Sequence, residues 1–366
     1  MAKKIFIAAT RQNDGKTTLS LGLIHCLKKR FAKIGFIKPI GQRYLVEQGY
    51  KVDEDSVLIE HIYGSSADIK DMSPVAIERG FTEEYLKKGQ KEALVRKILD
   101  SFDKISKDKD LVIIEGTGHA GVGSCFDLSN AVVAKMLDAK VLLITEGGVG
   151  RPIDEIMLNR PLFDKEGVDL IGVIVNKVLP EKYEKINKLV RLGFQRKGVN
   201  VFGVVKYNEL LSRPTINEIL QEIDGTELLC GSKERLHNIA QNILVGAMTP
   251  TDALRYITEG SLIITAGDRT DLIEAVYRMH MREKGKRDKL TALVLSGGIS
   301  PSKTILDKYK KAGIPVILSK FHTYKTAESI HDIVVKIKPE DAQKIRWAIE
   351  LIENYVDVDG IINAIS

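Results

Sequence analysis

Short apolar runs, separated by longer segments with helical periodicity, organise the sequence up to residue 224, and this pattern narrows the choice of fold sharply. The runs are apolar throughout instead of alternating with polar residues, as expected for strands that helices cover on both faces. They predict strands near residues 5–8, 35–37, 111–114, 141–145, 171–175 and 201–205. Helices are predicted near residues 17–30, 82–105, 127–137, 152–165 and 181–197. This order is typical of repeated βαβ units and predicts an α/β domain with a doubly wound, mostly parallel sheet.

A second α/β pattern follows. Strands are predicted near residues 262–265, 290–295, 315–319 and 333–337, and helices near 271–283, 303–312 and 340–355. The 366 residues exceed the size at which single cores usually stop growing, about 250–300 residues. We place the junction in the polar, glycine-containing stretch 223–227, which gives a first domain over residues 1–224 and a smaller second domain over residues 225–366.

The charge pattern and the number and spacing of the cysteines restrict the classes of ligand and the cellular compartment of the protein. The 55 Lys plus Arg and 49 Asp plus Glu give a net charge of +6, but the two signs are interspersed and no basic block carries interleaved aromatics. This argues against nucleic acid and weakly favours anionic small ligands. No apolar stretch reaches the roughly 18 residues of a membrane span. Three widely spaced cysteines without a C-x-x-C pair indicate a reducing, cytoplasmic environment.

The strongest chemical signal is the segment A-T-R-Q-N-D-G-K-T-T at residues 9–18, between a predicted strand and a predicted helix. It matches the end of the phosphate-loop pattern G-x-x-x-x-G-K-[ST], with Thr10 in place of the first glycine. Gly15 permits close backbone approach, Lys16 would reach the β- and γ-phosphates, and Thr17 can coordinate Mg²⁺. The alternative is an ordinary turn, but a lysine in the first helical turn is electrostatically unfavourable without an anion.

This loop supplies most of the predicted nucleotide contacts. They are Thr10, Asn13, Asp14, Gly15, Lys16, Thr17 and Thr18. Arg11 falls where a deviant subgroup of these loops has a second lysine, so the positive charge is kept on a broader guanidinium group. A vestigial loop that binds nothing is the structural alternative.

Two further charged residues are predicted at the same edge of the sheet. Lys38, in F-I-K-P-I-G-Q, and Glu115, in L-V-I-I-E-G-T-G, each follow a predicted strand. Ligands bind open α/β sheets at the carboxyl ends of the strands. A carboxylate there can hold Mg²⁺, which prefers one or two carboxylates together with phosphate oxygens. A surface lysine and a solvated strand-end glutamate are the alternatives.

Together these segments resemble dethiobiotin synthetase and the related cobyrinic acid amide synthases. The resemblance rests on A-T-R-Q-N-D-G-K-T-T, K-P-I-G-Q, the acidic D-E-D at 53–55, I-I-E-G-T-G, and V-I-V-N-K-V-L-P at 173–180. It implies a P-loop NTPase fold in which Lys16 and Lys38, as catalytic residues, bind the phosphates and the reacting carboxylate or carbamate. It also implies that Asp55 and Glu115 hold Mg²⁺ and that Asn176 reads adenine.

The second half of the chain resembles the DRTGG domain. Residues 261–276, S-L-I-I-T-A-G-D-R-T-D-L-I-E-A-V, carry this resemblance, although Asp271 and Leu272 replace the two glycines of the name. The order of the two domains is similar to the N-terminal region of the long form of phosphotransacetylase. Because the chain ends at Ser366 without the acetyl-transferring domain, we expect no phosphate acetyltransferase activity from it alone.

Two weaker signals lie in this second half. The segment S-G-G-I-S at residues 296–300 lies between a predicted strand and a predicted helix, and is either a second anion site or only the geometry of a turn. Asp268 and Arg269 also follow a predicted strand, and they form either an internal salt bridge, a dimer contact or a ligand clamp.

Two functions are consistent with these features, and both require ATP and Mg²⁺. The favoured one is a nucleotide-sensing regulatory protein that relays its state to another subunit or to a phosphotransacetylase-type partner. The alternative is an ATP-dependent carbon–nitrogen ligase, in which a small carboxylate or carbamate attacks the γ-phosphate and an amine closes on the mixed anhydride. Because relatives of dethiobiotin synthetase often form homodimers, the resemblance also implies a homo-oligomer.

Overall fold

The computed structural model describes residues 2–65, 67–283 and 289–366 of the chain. It divides into two compact units: unit 1 comprises Met1–Asn208 together with Ile337–Ser366, and unit 2 comprises Glu209–Lys336. This division differs from the sequence-based boundary at 224/225 in two ways. The junction comes earlier, and the last segment of the chain belongs to unit 1. No helix within the described ranges is both long and apolar enough to cross a membrane.

Unit 1 is built on a six-stranded sheet in which neighbouring strands are parallel. The strands of unit 1 are β1 (Lys3–Ala9), β2 (Ile34–Ile37), β3 (Ile40–Gly41), β4 (Tyr44–Glu47), β5 (Tyr50–Asp53), β6 (Val75–Ala76), β7 (Leu111–Glu115), β8 (Lys140–Glu146), β9 (Leu170–Val178) and β10 (Val201–Lys206). The sheet order is β10-β9-β8-β1-β7-β2, and the pairs β3–β6 and β4–β5 lie outside it. Because the strand order reverses at β1, the carboxyl end of β1 is the switch point where open sheets of this kind bind ligands.

Helices cover the faces of this sheet. Those in the first part of unit 1 are α1 (Lys16–Leu27), α2 (Glu54–Tyr63), α3 (Ile69–Met72), α4 (Phe81–Lys88), α5 (Lys91–Ser106), α6 (Asn130–Met136), α7 (Gly150–Glu166) and α8 (Tyr183–Gln195). Every residue of β7 is buried, which confirms the prediction that uniformly apolar runs form strands covered on both faces. The helix predicted over 82–105 is instead two helices, α4 and α5, because Gly89 ends α4 with a positive φ of 58°.

Unit 2 contains a second, five-stranded sheet. Its strands are β11 (Thr226–Cys230), β12 (Asn242–Val245), β13 (Ser261–Ala266), β14 (Leu290–Ser296) and β15 (Val316–Ser319), in the order β11-β15-β14-β13-β12. Only β11 is antiparallel to its neighbour. The helices of unit 2 are α9 (Ile216–Glu222), α10 (Pro250–Ala253), α11 (Thr270–Glu283), α12 (Lys303–Ala312) and α13 (Thr323–His331). The sequence reasoning missed β11 and β12, which are shorter and less buried than β13 and β14.

The C-terminal segment packs into the core of unit 1. The predicted strand near 333–337 is wrong, because those residues have no regular structure. The predicted helix near 340–355 is present as α14 (Ala342–Tyr355), and α15 (Val358–Ala364) follows it. Gly22 of α1 lets α14 approach closely, since a Cβ on Gly22 would lie 2.5 Å from the Ala348 carbonyl oxygen. Ala348 and Ile352 of α14 are fully buried in the unit 1 core. The burial of this apolar face of α14 explains why the C-terminal segment belongs to unit 1 and not to unit 2.

Candidate functional site

The phosphate-loop segment joins β1 to α1 at the switch point of the unit 1 sheet. Gly15 caps α1 with φ 92° and ψ 28°, a left-handed conformation that glycine adopts without strain. Asn13 is also left-handed, with φ 65°. In the described part of the chain, the backbone N–H groups from Asn13 to Thr18 donate to no other group. Successive free N–H groups at the start of a helix form a cradle that suits an anion.

The Lys16 side chain lies buried at the start of α1. Within residues 2–65, 67–283 and 289–366, its ammonium group forms no hydrogen bond or ion pair. Burial lowers the pKa of Lys16; the charge of Glu115 opposes this effect, and the charge of Lys38 adds to it. A buried cation without a direct counter-ion is costly. The position of Lys16 therefore favours binding of an anionic ligand.

Strand register brings two of the predicted charged residues next to this loop. Ile37 pairs with Ile114 across β2 and β7, so that Lys38 and Glu115 follow at the same edge of the sheet. The Thr17 hydroxyl group donates a hydrogen bond to Glu115 Oε1 at 3.1 Å. The loop, the lysine and the glutamate thus form one cluster at the carboxyl ends of β1, β2 and β7.

Lys38 lies among three carboxylates. Its Nζ is 2.9 Å from Asp53 Oδ1 and 3.9 Å from Glu115 Oε1, and it donates a hydrogen bond to Asp55 Oδ2. All four side chains are buried. Burial lowers the pKa of Lys38, but the three carboxylates outweigh burial and raise that pKa above its usual range. Burial also raises the pKa of Glu115 to about 7, and the charge of Asp55 adds to this increase.

The oxygen donors around Thr17 suit a magnesium ion. The carboxylates of Asp55 and Glu115 and the Thr17 hydroxyl group are hard oxygen ligands of the type that Mg²⁺ prefers. Asp53 Oδ2, in the same cluster, is buried and has no hydrogen-bond partner among the described residues. In those residues, no three His, Cys, Asp or Glu side chains form a metal site by themselves. This donor set therefore fits an ion that also binds phosphate oxygens better than one held by protein ligands alone.

Two residues near the carboxyl end of β9 hold the phosphate loop in place. Asn176 Nδ2 donates to the Asp14 carbonyl oxygen at 2.8 Å, and Lys177 Nζ donates to the Asn13 carbonyl oxygen at 2.6 Å. These bonds turn the loop carbonyls away from the cradle. The structure thus brings Asn176 to the site, where its amide nitrogen fixes the loop, and contact with adenine stays a prediction.

Glu155 of α7 is a site residue that the sequence reasoning missed. Its carboxylate accepts a hydrogen bond from the Thr10 hydroxyl group at 2.7 Å, and lies 2.5 Å from Arg11 Nη2 and 2.8 Å from Arg151 Nε. Burial raises the pKa of Glu155, but the bonds from Arg151 and Thr10 outweigh this and lower it. Only the Arg151–Glu155 spacing of four residues is visible in the sequence; the bonds to the loop depend on the tertiary fold.

The remaining loop residues are held within the loop itself. Asp14 Oδ2 accepts hydrogen bonds from the Thr10 hydroxyl group at 2.9 Å and from the Arg11 backbone N–H at 2.8 Å. Burial raises the pKa of Asp14, although these two bonds oppose the increase. Thr10, in the position of the missing glycine, therefore has a structural contact on each side, to Asp14 and to Glu155.

The two weaker signals of unit 2 form internal structural contacts. Arg269 forms an internal salt bridge, with its Nε 2.9 Å from Asp271 Oδ1, instead of pairing with Asp268. In S-G-G-I-S, the backbone N–H groups of Gly297 and Gly298 donate to main-chain carbonyl oxygens at 2.7 and 2.9 Å. Because these N–H groups are already used, the segment favours turn geometry over an anion site.

Family comparison identifies both parts of the chain. Residues 3–215 match a family model described as "AAA domain", which includes the phosphate loop and covers more than half of the chain. The chain belongs to this AAA domain family. Residues 218–333 match the DRTGG domain, which confirms the predicted identity of the second domain.

The curated relatives of this AAA domain protein are phosphate acetyltransferases. The chain is 26% identical over 366 residues to that of Nitratidesulfovibrio vulgaris, a match covering 98% of this chain and 51% of the relative. It is 24% identical over 373 residues to that of Synechocystis, covering 99% of this chain and 52% of the relative. These matches confirm the predicted resemblance to phosphotransacetylase. The chain spans about half the length of the curated relatives it matches.

Solved structures share only distant similarity with this AAA domain protein. The MinC:MinD cell division protein complex of Aquifex aeolicus has 18% identity and a TM-score of 0.37, covering 57% of this chain and 84% of that chain. The CBS and DRTGG domains of Clostridium perfringens pyrophosphatase, complexed with the activator diadenosine tetraphosphate, have 18% identity and a TM-score of 0.30. That match covers 46% of this chain and 79% of that chain. Similarity at this level carries no argument about function.

Proposed function

We propose that this protein binds Mg²⁺–ATP at the phosphate loop of unit 1 and acts as a nucleotide-sensing regulatory protein related to phosphate acetyltransferases. The observation that carries the proposal is the cradle of N–H groups from Asn13 to Thr18, which have no acceptor among the described residues, with the buried ammonium group of Lys16, also without a partner there, beside it. Phosphate supplies the acceptors and the negative charge that these groups lack.

The proposed roles follow from the positions of the side chains. Lys16 binds the β- and γ-phosphates, while Thr17, Asp55 and Glu115 hold the magnesium ion, which offsets the charge of the phosphates when it is bound. Asn176 keeps the loop carbonyls away from the phosphates through its bond to the Asp14 carbonyl oxygen. Thr18 contributes its backbone N–H group at the start of α1.

The contacts of Lys38 favour sensing over the ligase alternative. A ligase of the dethiobiotin synthetase type needs Lys38 to bind a reacting carboxylate or carbamate. Here its ammonium group contacts Asp53 and Asp55 and lies near Glu115, all within its own chain. A substrate carboxylate would have to compete with three buried carboxylates for one ammonium group. We therefore assign Lys38 a main role in nucleotide and metal binding.

The regulatory function also requires a recipient of the signal. We propose that a second copy of the chain or a phosphotransacetylase-type catalytic chain receives it, in the cytoplasm, through the DRTGG domain. Support comes from the matches to phosphate acetyltransferases, in which a region like this chain forms about half of the protein. Nucleotide-dependent oligomerisation in sedimentation experiments, or co-purification with such a catalytic chain, would support this part of the proposal.

A calorimetric titration with Mg²⁺–ATP tests the central claim. Wild-type protein is compared with Lys16→Ala and with Lys303→Ala, a matched control at the first residue of α12. We expect Lys16→Ala to weaken binding roughly tenfold to hundredfold, because a hydrogen bond to a charged group contributes about 1.5–3 kcal/mol. Lys303→Ala should bind like the wild type. No binding by the wild type, or equal binding by all three proteins, would contradict the proposal.

An ADP-release assay on the same samples separates the two functions. The sensing function predicts negligible release when small diacids and diamines are added to protein, ATP and Mg²⁺. Release that depends on such a carboxylate and amine, and that Lys16→Ala abolishes, would instead establish the ligase alternative.

A further inference from the structure

Lys38 is the direct counter-ion of the buried acidic cluster that surrounds it. The cluster consists of Asp53, Asp55 and Glu115, whose carboxylates lie on three sides of one ammonium group. Each of these four residues is at most 5% exposed, so water cannot solvate the charges of the carboxylates in place of Lys38. Lys16 is close enough to influence Glu115 electrostatically but forms no ion pair within the described ranges.

Backbone bonds fix the members of this cluster on rigid elements. The Lys38 backbone N–H donates to the Met72 carbonyl oxygen at 2.8 Å, directly after β2. Asp53 caps α2, where its Oδ1 accepts the Asp55 backbone N–H at 3.0 Å, and its own N–H donates to Ser73 Oγ at 3.0 Å. The carboxylates are therefore held in place by the fold, whereas the long side chain of Lys38 can change its rotamer.

The same carboxylates include the proposed ligands of magnesium. A divalent cation bound by Asp55 and Glu115 would lie next to the Lys38 ammonium group, because Lys38 already contacts one oxygen of each carboxylate, and the two positive charges would repel each other. Asp55 Oδ2 is already bonded to Lys38, and Glu115 Oε1 is shared between Lys38 and the Thr17 hydroxyl group. Glu115 Oε2 is buried without a hydrogen-bond partner among the described residues, so Lys38 and the metal compete for the negative charge of the same carboxylates and not for every oxygen.

We propose that Lys38 is a built-in cation that excludes free divalent metal from the acidic cluster until a phosphate-bearing ligand draws the ammonium group away. The inference rests on the proposed function, since the phosphates provide the new acceptors for Lys38. Metal then enters together with the nucleotide, and the protein distinguishes a metal–nucleotide complex from free metal. Lys38 acts here on metal occupancy, a role distinct from binding a substrate carboxylate.

Titration with Mn²⁺ in the absence of nucleotide tests this competition directly, with free Mn²⁺ measured by electron paramagnetic resonance. Three full-length proteins are compared: the wild type, Lys38→Met, and the matched control Lys104→Met. Lys104 pairs with the single buried carboxylate of Asp71 at 3.0 Å, so the control makes the same change of charge without uncovering several acids. We expect Lys38→Met to bind one Mn²⁺ about tenfold or more tightly than the wild type, and Lys104→Met to match the wild type.

A second pair of variants covers the case in which Lys38→Met does not fold. Asp53→Asn removes one carboxylate and keeps Lys38. Lys38→Met/Asp53→Asn removes the lysine as well, so the cluster keeps only the carboxylates of Asp55 and Glu115 and has less unbalanced negative charge than in Lys38→Met. The double variant should bind Mn²⁺ about tenfold or more tightly than Asp53→Asn, and Mn²⁺ should raise its melting temperature.

Two results would overturn the proposal. One is wild-type protein that binds Mn²⁺ without nucleotide as tightly as the Lys38 variants do. The other is a Lys38 variant that gains no affinity over its control. Neither result depends on ATP, so failure of this inference is distinguishable from failure of the proposed function, which the ATP titration of the wild type measures separately.

Discussion

Each unit places a glycine turn between a parallel strand and a helix, but the two turns use their polar groups differently. In unit 1, the N–H groups from Asn13 to Thr18 donate to nothing else within the described ranges. In unit 2, Gly297 donates to the Phe321 carbonyl oxygen and Gly298 to that of Ser319. A glycine turn before a helix is therefore not by itself an anion site. The unit 1 turn differs because its N–H groups are free and a cation is buried beside them.

Replacing a glycine in each turn by alanine should show the largest difference between the units. Gly15 has φ +92°, and a Cβ on it would collide with Asn176 Nδ2. Gly298 has φ +67°, and a Cβ on it would lie 3.8 Å from Lys320 Cα, an ordinary van der Waals distance. A left-handed alanine costs about 1–2 kcal/mol in either turn. Gly15→Ala also displaces Asn176 from the loop, which adds about 1 kcal/mol. From urea unfolding we expect a loss of about 2–3 kcal/mol for Gly15→Ala and of about 1–2 kcal/mol for Gly298→Ala.

Nucleotide binding by the same two variants sharpens the comparison. Gly15→Ala should lose Mg²⁺–ATP binding in the calorimeter, because its Cβ and the displaced Asn176 side chain disturb the cradle. Gly298→Ala should bind like the wild type. Equal losses of stability and unchanged ATP affinity in both variants would mean that the two turns are equivalent, against the difference seen in their N–H groups.

The sequence alone was sufficient to predict the strands and the helix that carry the phosphate loop. The apolar runs predicted β1, β2 and β7, and Lys38 and Glu115 directly follow two of these runs. Because parallel strands end at a common edge of the sheet, both residues were predicted at that edge. The loop pattern located Lys16 and Thr17 at the start of α1. These predictions depend on local sequence and on one topological rule, so they did not require knowledge of tertiary packing.

Features that depend on tertiary packing were not accessible in the same way. The residues of α14 have an amphipathic pattern that predicts a helix but does not say which unit buries its apolar face. The contact with Gly22 on α1 decides this. In the site, Glu155 is separated from Arg11 by more than a hundred residues, and no motif joins them. The apolar run 333–337 shows that composition alone does not make a strand.

Two acidic residues allow the next test, one in each unit. Glu155 is buried and contacts Thr10, Arg11 and Arg151, whereas Asp271 is exposed and forms a salt bridge with Arg269. We expect Glu155→Ala to lower the free energy of unfolding by about 1–3 kcal/mol, because the buried Thr10 hydroxyl group and two cations lose an acceptor. For Asp271→Ala we expect no measurable loss of stability, because exposed ion pairs contribute little.

Urea unfolding of both variants measures these losses of stability. Calorimetric titration with Mg²⁺–ATP measures whether the phosphate loop still binds nucleotide with its usual affinity. Glu155→Ala should also weaken ATP binding, since Thr10 and Arg11 form the first part of the phosphate loop. Glu155→Gln keeps an acceptor for Thr10 and should lie between the wild type and the alanine variant. A Glu155→Ala protein with wild-type stability and ATP affinity would show that this contact does not support the loop.

A dependence of the free energy of unfolding on pH is expected from Glu115 in the unit 1 cluster. Burial raises the pKa of Glu115 from its ordinary 4.5 to about 7, so the folded state holds this proton more tightly than the unfolded state does. The contribution of Glu115 to stability is therefore greatest below pH 4.5 and falls as the pH rises to about 7, by on the order of 1–3 kcal/mol. Glu115→Gln does not titrate. Its stability relative to the wild type should increase over this interval in metal-free buffer.

Asp271 of unit 2 should behave in the opposite way. The hydrogen bond from Arg269 lowers the pKa of Asp271 below its ordinary 3.8, so its contribution is complete above that pH and is lost only as the pH falls through the lower, folded-state value. Asp271→Asn should therefore differ from the wild type by a constant amount between pH 4.5 and 7. Urea unfolding at several pH values, with EDTA present, compares the two variants. A flat difference for Glu115→Gln would mean that the cluster around Lys38 keeps Glu115 ionised throughout, and that the ammonium group outweighs burial at this carboxylate.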